Sequence, residues 1–429
     1  MKKRHYAAIN ETLYVDELDN GLKLYIVPKE GFSKTYAAFT THYGSIDHHF
    51  QVAGEEEVRV PDGIAHFLEH KMFEEPDGDV FAKFSEKGAY ANAYTSFDRT
   101  TYLFTAAEAV EDHLTTLLNF VQHPYFSEES VNKEKGIIGQ EIKMYQDNPE
   151  WRVYYGLVEA LFQRHPIRID IAGTIESIQQ IDRETLLKCY HAFYHPSNMM
   201  LFVVGGVDPD RIAQLVRANQ ASKPFKPQGE IKRFYEQEPE DVFEEKRVIH
   251  LPVALPKCYI GFKEIFEPGR DRDRLKNEAA SRIMFDMMFS PSSECYQALY
   301  DEGLITDGFG SEYNQYPDFA YSAIGGDTKD PDLLVDRIRS FIRKSQAEGL
   351  DERAFERSKR KRIGALLRLL NSPETIGNEY TKFIYRGIDW FDLLPAFQSL
   401  TLDEVNERLM RHLNLNHMAV SIVRNGNLS

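Results

Sequence analysis

The chain is poor in cysteine, in basic charge and in long apolar runs. Its 429 residues include three cysteines, Cys189, Cys258 and Cys295. An odd, widely spaced set excludes a disulfide scaffold and a thiolate metal site, which need paired or clustered cysteines. Lys and Arg number 51 against 67 Asp and Glu, a formal charge of −16. A chain this acidic has no general attraction for nucleic acid or anionic membrane. No apolar run is long enough to span a bilayer. The basic opening "MKKRHYAAINETLYVDELDNG" is not followed by the apolar stretch of a secretory signal. The expectation is a cytoplasmic protein with neither nucleic acid nor membrane as partner.

What is present is the composition of a packed globular chain, 42% apolar and 12% aromatic. The length suits two domains of roughly 200 residues each. Residues 13–30 read as two strands joined at Asp19-Asn20-Gly21, an Asn-Gly hairpin signal. "SEESVNKEKGIIGQEIKMYQD" reads as a long helix, with Ser127 or Ser130 as its N-cap. Residues 218–246 are rich in Pro, Lys and Glu and lack apolar periodicity. They read as a linker between domains at 1–217 and 247–429.

The second half echoes the first. "YQALYDEG" at 296–303 matches "FAKFSEKG" at 81–88, and strands, a helix and a long helix follow in the same order. The reading is α+β, with two homologous sheet-plus-helices halves. Extending the match sets Ser281 against His66, Phe285 against His70, Ser358 against Glu134 and Ala365 against Glu141. The second half has given up the polar residues of the first.

Those residues carry the chemistry. "GIAHFLEHKMF" at 63–73 holds His66 and His70 four apart, with Glu69 before the second. On a helix, positions i and i+4 share a face, so both imidazoles can reach one ion. Catalytic zinc takes three protein ligands and leaves a fourth position for water, whose pKa it lowers to roughly 7. Glu69, on the same flank, is placed to take a proton from that water. His-x-x-Glu-His is a metallopeptidase signature in inverted order. A third ligand must come from elsewhere. "EKGIIGQE" supplies Glu134 and Glu141, seven apart and so two turns along one helix face. Either can be the ligand, the other then orienting a histidine. "DHHF" at 47–50 reads as a solvated loop, and Cys189 as a core thiol.

With "GAYANAYTSFDRTTYLF", "VNKEKGIIGQEI", "HPIRIDIAGTIESIQQI" and "FYHPSNMMLFVVGGVDP" following in order, the chain resembles the pitrilysin/insulinase family of zinc peptidases. The likeness is to its smaller members akin to mitochondrial processing peptidase. The resemblance implies one Zn2+ per chain, held by His66, His70 and Glu141, with Glu69 as general base and Glu134 as supporting acid. It implies an edge strand at Asn92, Ala93 and Tyr94 for an extended peptide substrate, and a chain forming half of a clamshell chamber. The implied activity is endopeptidase cleavage of unfolded peptides or leader segments. One departure stands out. Family members carry an Arg and, seven residues on, a Tyr in the second half. Here "LYDEGLITDGF" puts Tyr300 at the first position and, allowing a one-residue gap, Thr306 at the second, with Tyr313 or Tyr321 as substitutes under a shifted alignment. The resemblance then implies a homologous subunit supplying the missing pair, or otherwise a homodimer. The alternative is a non-catalytic scaffold or partner subunit of a peptidase heterodimer.

Overall fold

A computed structural model describes residues 1–76, 78–266 and 274–426. Two compact units emerge, neither continuous in sequence. Unit 1 gathers Met1–Ile142, Ile169–Tyr235 and Leu369–Tyr385. Unit 2 gathers Lys143–Arg168, Glu236–Arg368 and the chain from Arg386 onward.

Unit 1 is built on seven strands: β1 (Lys2–Tyr6), β2 (Glu11–Glu17), β3 (Lys23–Pro28), β4 (Thr35–Thr41), β5 (Tyr90–Thr95), β6 (Thr100–Ala106) and β7 (Met199–Gly205). They lie in the order β1-β2-β3-β7-β4-β6-β5. Central strands β4 "TYAAFTT" and β7 "MMLFVVG" are buried along their whole length, as near-continuous apolar and small residues require. β5 "YANAYT" is the edge, pairing among the described residues only with β6. The hairpin expected at Asn20-Gly21 joins β2 to β3, with Asn20 Oδ1 accepting from the Leu22 N–H at 3.2 Å.

Unit 2 repeats the core of this sheet. Its strands are β8 (Lys246–His250), β9 (Lys257–Ile265), β10 (Gly310–Gln315), β11 (Phe319–Asp327) and β12 (Met418–Arg424), in the order β8-β12-β9-β11-β10. β8 runs parallel to β12 as β3 does to β7, and every other neighbouring pair in both series is antiparallel. The duplication read from sequence is therefore a duplication of topology. The helices repeat too. α1 (Ile64–Lys71), α2 (Glu128–Gln146), α3 (Pro149–Leu161) and α4 (Arg183–Phe193) are answered by α5 (Arg274–Phe289), α6 (Glu352–Leu369), α7 (Pro373–Tyr385) and α8 (Leu402–His412).

The units differ from the contiguous division expected at 217 and 247. α3, from the first half of the sequence, packs on β12 and β9 in unit 2, while α7, from the second half, packs on β7 and β4 in unit 1. Gly377 lets α7 settle closely, since a Cβ there would lie 2.3 Å from the Tyr36 ring. Periodicity shows that a helix has an apolar face but not which sheet receives it. Nor is 218–246 a free linker. Ile231–Arg233 pairs with His49–Val52 in unit 1, and the division between the units falls at Tyr235 and Glu236. In unit 2, Glu238 accepts from the backbone N–H groups of Gln163, Arg164 and His165 and from Lys263 Nζ at 2.7–2.8 Å.

Candidate metal centre

α1 is short and almost wholly buried, from Ile64 through Glu69 and again at Lys71. Its entry is fixed by Gly63, at φ +85°, where a Cβ would lie 2.4 Å from the Ala172 carbonyl oxygen. No side chain but glycine's hydrogen fits there. α2 begins at Glu128 with Ser127 as cap, the Ser130 N–H donating to Ser127 Oγ at 3.1 Å. Val131, Ile138 and Ile142 of α2 are buried, and this apolar stripe brings Glu134 and Glu141 to α1.

The four side chains meet as follows. His66 and His70 stand with ring centroids 4.6 Å apart. Glu141 Oε2 lies 3.8 Å from His66 Nε2 and 3.6 Å from His70 Nε2. These separations are too long for hydrogen bonds. They suit three ligands of one tetrahedral zinc, which stand about 3.4 Å apart when each is about 2.1 Å from the ion. Glu134 takes the other role, its Oε1 accepting from His70 Nδ1 at 3.0 Å. His66 Nδ1 is a buried ring nitrogen with no hydrogen-bond partner among the described residues. The two-imidazole, one-carboxylate donor set, with both Nε2 atoms and Glu141 Oε2 converging, fits a bound zinc ion. Among the described residues, His66, His70 and Glu141 form the one group of three or more such side chains close enough to share an ion, their ligand atoms all within 4.8 Å.

Electrostatics divide the roles further. Burial, followed by the neighbouring His70, pushes His66 down to about 3, so its ring is neutral and able to ligate. Burial works against charge on His70, but the Glu134 hydrogen bond and the carboxylates of Glu69, Glu134 and Glu141 raise it overall. Burial would raise Glu134, yet its bond to His70, that ring's charge and Lys71 hold it below the ordinary carboxylate range. Glu69 is raised, mainly by burial, against the opposing hydrogen bond from Thr95. A carboxylate raised in this way is a better proton acceptor at neutral pH.

Asn92, Ala93 and Tyr94 lie on edge strand β5, opposite Leu103, Tyr102 and Thr101 of β6. α1 packs on that strand. Sequence reasoning missed two residues. Thr95, the last of β5, donates to Glu69 Oε2 at 2.7 Å. Lys71 is 1% exposed, hydrogen-bonds Glu74 and lies 3.8 Å from Glu134 Oε2. A lysine inside a buried helix was the available signal for the second. "DHHF" is not a solvated loop. Asp47 is buried and accepts from Arg233 Nε, the Tyr235 hydroxyl and the Gly44 N–H at 2.7–2.9 Å, because Ile231–Arg233, paired with His49–Val52, brings Arg233 to it. Cys189 is a core thiol as expected, raised to about 12 by burial.

In unit 2 the corresponding positions hold no ligands. Phe285 is buried, and Ser281 Oγ accepts from Arg408 Nε at 2.7 Å. Arg408 also donates to Glu264 Oε1 and to the Tyr313 hydroxyl, both at 2.9 Å. Tyr321 shares a 2.6 Å hydrogen bond with Tyr154. Both tyrosines considered as substitutes are thus engaged inside unit 2. Tyr300 is exposed.

A duplicated α+β core with chemistry in one half defines the class of pitrilysin-type peptidases. The chain matches the insulinase (peptidase family M16) domain over residues 55–175 and the peptidase M16 inactive domain over 180–362. It is 46% identical over 421 residues to the uncharacterized zinc protease YmfH of Bacillus subtilis, covering 98% of each chain. An M16-like peptidase from Alicyclobacillus acidocaldarius superposes with TM-score 0.93 at 40% identity, covering 97% of this chain and 99% of that one. A protease from Helicobacter pylori shares the fold at TM-score 0.83 and 19% identity, covering 96% and 99%. The chain belongs to the insulinase (M16) family. Among the described residues no helix is long and apolar enough to cross a membrane.

Proposed function

We propose that this chain is a zinc endopeptidase acting on unfolded peptides or leader segments. The observation that carries the reading is the approach of Glu141 Oε2 on α2 to His66 Nε2 and His70 Nε2 on α1, the helix that also bears Glu69. These three residues would hold one zinc ion, and Glu134 would orient His70. Bound zinc supplies Lewis acidity, lowering the pKa of water from 15.7 to roughly 7 and polarising the scissile carbonyl. Glu69 takes the proton from the attacking water and returns it to the leaving amine. β5, with Asn92, Ala93 and Tyr94, takes the substrate as an added strand. Backbone hydrogen bonds then give affinity for any extended peptide.

The oxyanion-stabilising Arg and Tyr come from a homologous subunit, since Tyr300 and Thr306 occupy their positions here; a homodimer is the alternative assembly. A cytoplasmic location agrees with three buried cysteines, none of them in a disulfide. The match of 180–362 to the inactive domain also supports a second reading, a scaffold subunit without turnover. The test is cleavage of a mixed pool of unstructured peptides by the zinc-loaded chain, alone and with its co-purifying homologue, against Glu69→Gln. Cleavage lost in the variant supports the peptidase. Bound zinc with no cleavage in either assembly would favour the scaffold.

A further inference from the structure

Glu69 is held from the strand rather than from its own helix. Thr95 closes β5, and its hydroxyl donates to Glu69 Oε2 at 2.7 Å. The hydroxyl has one proton to give. Its other neighbour, Thr100 Oγ1, stands 3.4 Å away and directs its own proton to the Tyr43 carbonyl at 2.9 Å. At 2.7 Å against 3.4 Å, the acceptor-only carboxylate of Glu69 is the one that takes the Thr95 proton. The carboxylate is buried, and among the described residues the Thr95 hydroxyl gives it its one side-chain hydrogen bond, which holds its rotation.

We propose that Thr95 is the positioning residue of the general base, aiming Glu69 from the strand that receives the substrate. This rests on the peptidase reading above. With Oε2 taken by Thr95, the second carboxylate oxygen, Oε1, is the one to receive the proton of the attacking water. The hydroxyl matters because this one bond is what keeps the buried carboxylate from rotating. A hydrogen bond to a charged group is worth enough that its loss lowers a rate roughly 10- to 100-fold.

The test compares Thr95→Val, which keeps the shape and removes the donor, with Thr95→Ser, which keeps the donor. In the assembly that cleaves the peptide pool, Thr95→Val lowers kcat roughly 10- to 100-fold with KM within about twofold, and Thr95→Ser restores most of it. Zinc affinity, measured by chelator competition, is unchanged in both. Crystal structures of the zinc-loaded variants supply a readout independent of turnover, with Glu69 displaced in Thr95→Val and in place in Thr95→Ser. Glu69 unmoved in Thr95→Val, or a KM effect without a kcat effect, would overturn the proposal. An inactive wild type that binds zinc would count against the peptidase reading instead, leaving the crystallographic comparison to judge Thr95.

Discussion

Glu134 and Glu141 are one residue type, seven apart on one helix, and the structure gives them different work. Glu141 faces the Nε2 atoms of both histidines, whereas Glu134 takes the Nδ1 side of His70 alone. Replacing each with Gln should therefore separate a ligand from an orienting partner. Glu134→Gln keeps an oxygen acceptor for Nδ1 but removes its charge. Partners of this kind are worth 10- to 100-fold in metal affinity, or about 1.4–2.7 kcal/mol. Glu141→Gln removes one of three protein ligands. Four-ligand zinc sites contribute about 10–16 kcal/mol, so one ligand is worth roughly 3 kcal/mol, more than a hundredfold. The assay is zinc competition against a chromogenic chelator at pH 7.5, with thermal melting of the zinc-free proteins as control for folding. The ranking expected is wild type, then Glu134→Gln, then Glu141→Gln. If Glu134→Gln binds zinc more weakly than Glu141→Gln, the assignment of the two acids is wrong.

Two further outcomes concern unit 2. Arg408→Met leaves the buried Glu264, among the described residues, only His412 and, at 3.6 Å, Arg411 as partners, and should cost roughly 3 kcal/mol. Calorimetry would then show a fall of several degrees in the unit 2 transition, a loss that Glu264→Gln in the same chain should partly recover; no shift would mean the network is dispensable. His412 is held down to about 4, chiefly by burial, with Arg408 adding to the effect against the Glu264 hydrogen bond. Its folded pKa is depressed, so its contribution is full above about 6.5 and lost as pH falls toward 4. Urea unfolding at pH 5.0 should thus show about 2 kcal/mol less stability from this group than at pH 7.5, and His412→Phe should remove that share of the slope.

Much of the site was legible because its spacing follows helix geometry. His66 and His70 share a face whatever surrounds them, and the pair Glu134 and Glu141 recurs every two turns. Which acid is the ligand was not legible from spacing alone, since that depends on how α2 approaches α1. The duplication was legible in local pattern, from "FAKFSEKG" to "YQALYDEG". The exchange of α3 and α7 was not, because an amphipathic helix advertises a face and not a destination. Asp47 failed for a similar reason. Its partners Arg233 and Tyr235 lie nearly two hundred residues on, inside a stretch that composition presented as linker.

The two copies also solve one position in opposite ways. Thr41 pairs with Met199 and Phe262 with Met418, so Tyr43 and Glu264 occupy equivalent sites two residues on. α4 and α8 each end six residues before the following strand, which aligns Cys189 with Arg408 and Phe193 with His412. Unit 1 stacks Tyr43 on Phe193 at 4.0 Å, while unit 2 buries an ionic network.

The exchanged helices leave neither half of the gene with a complete unit of its own. A polypeptide ended anywhere in 218–246 would carry a sheet whose own cover, α7, had been left in the other fragment, and the second fragment would lack α3. Each piece would expose apolar sheet face and tend to aggregate when expressed by itself. Made together in one cell, the pieces carry complementary covers, so they should recover each other by trading helices, as a split reporter does. Duplication followed by such an exchange turns two separable ancestors into a single inheritance, and it lets the second copy lose its zinc residues while the first still depends on it to fold.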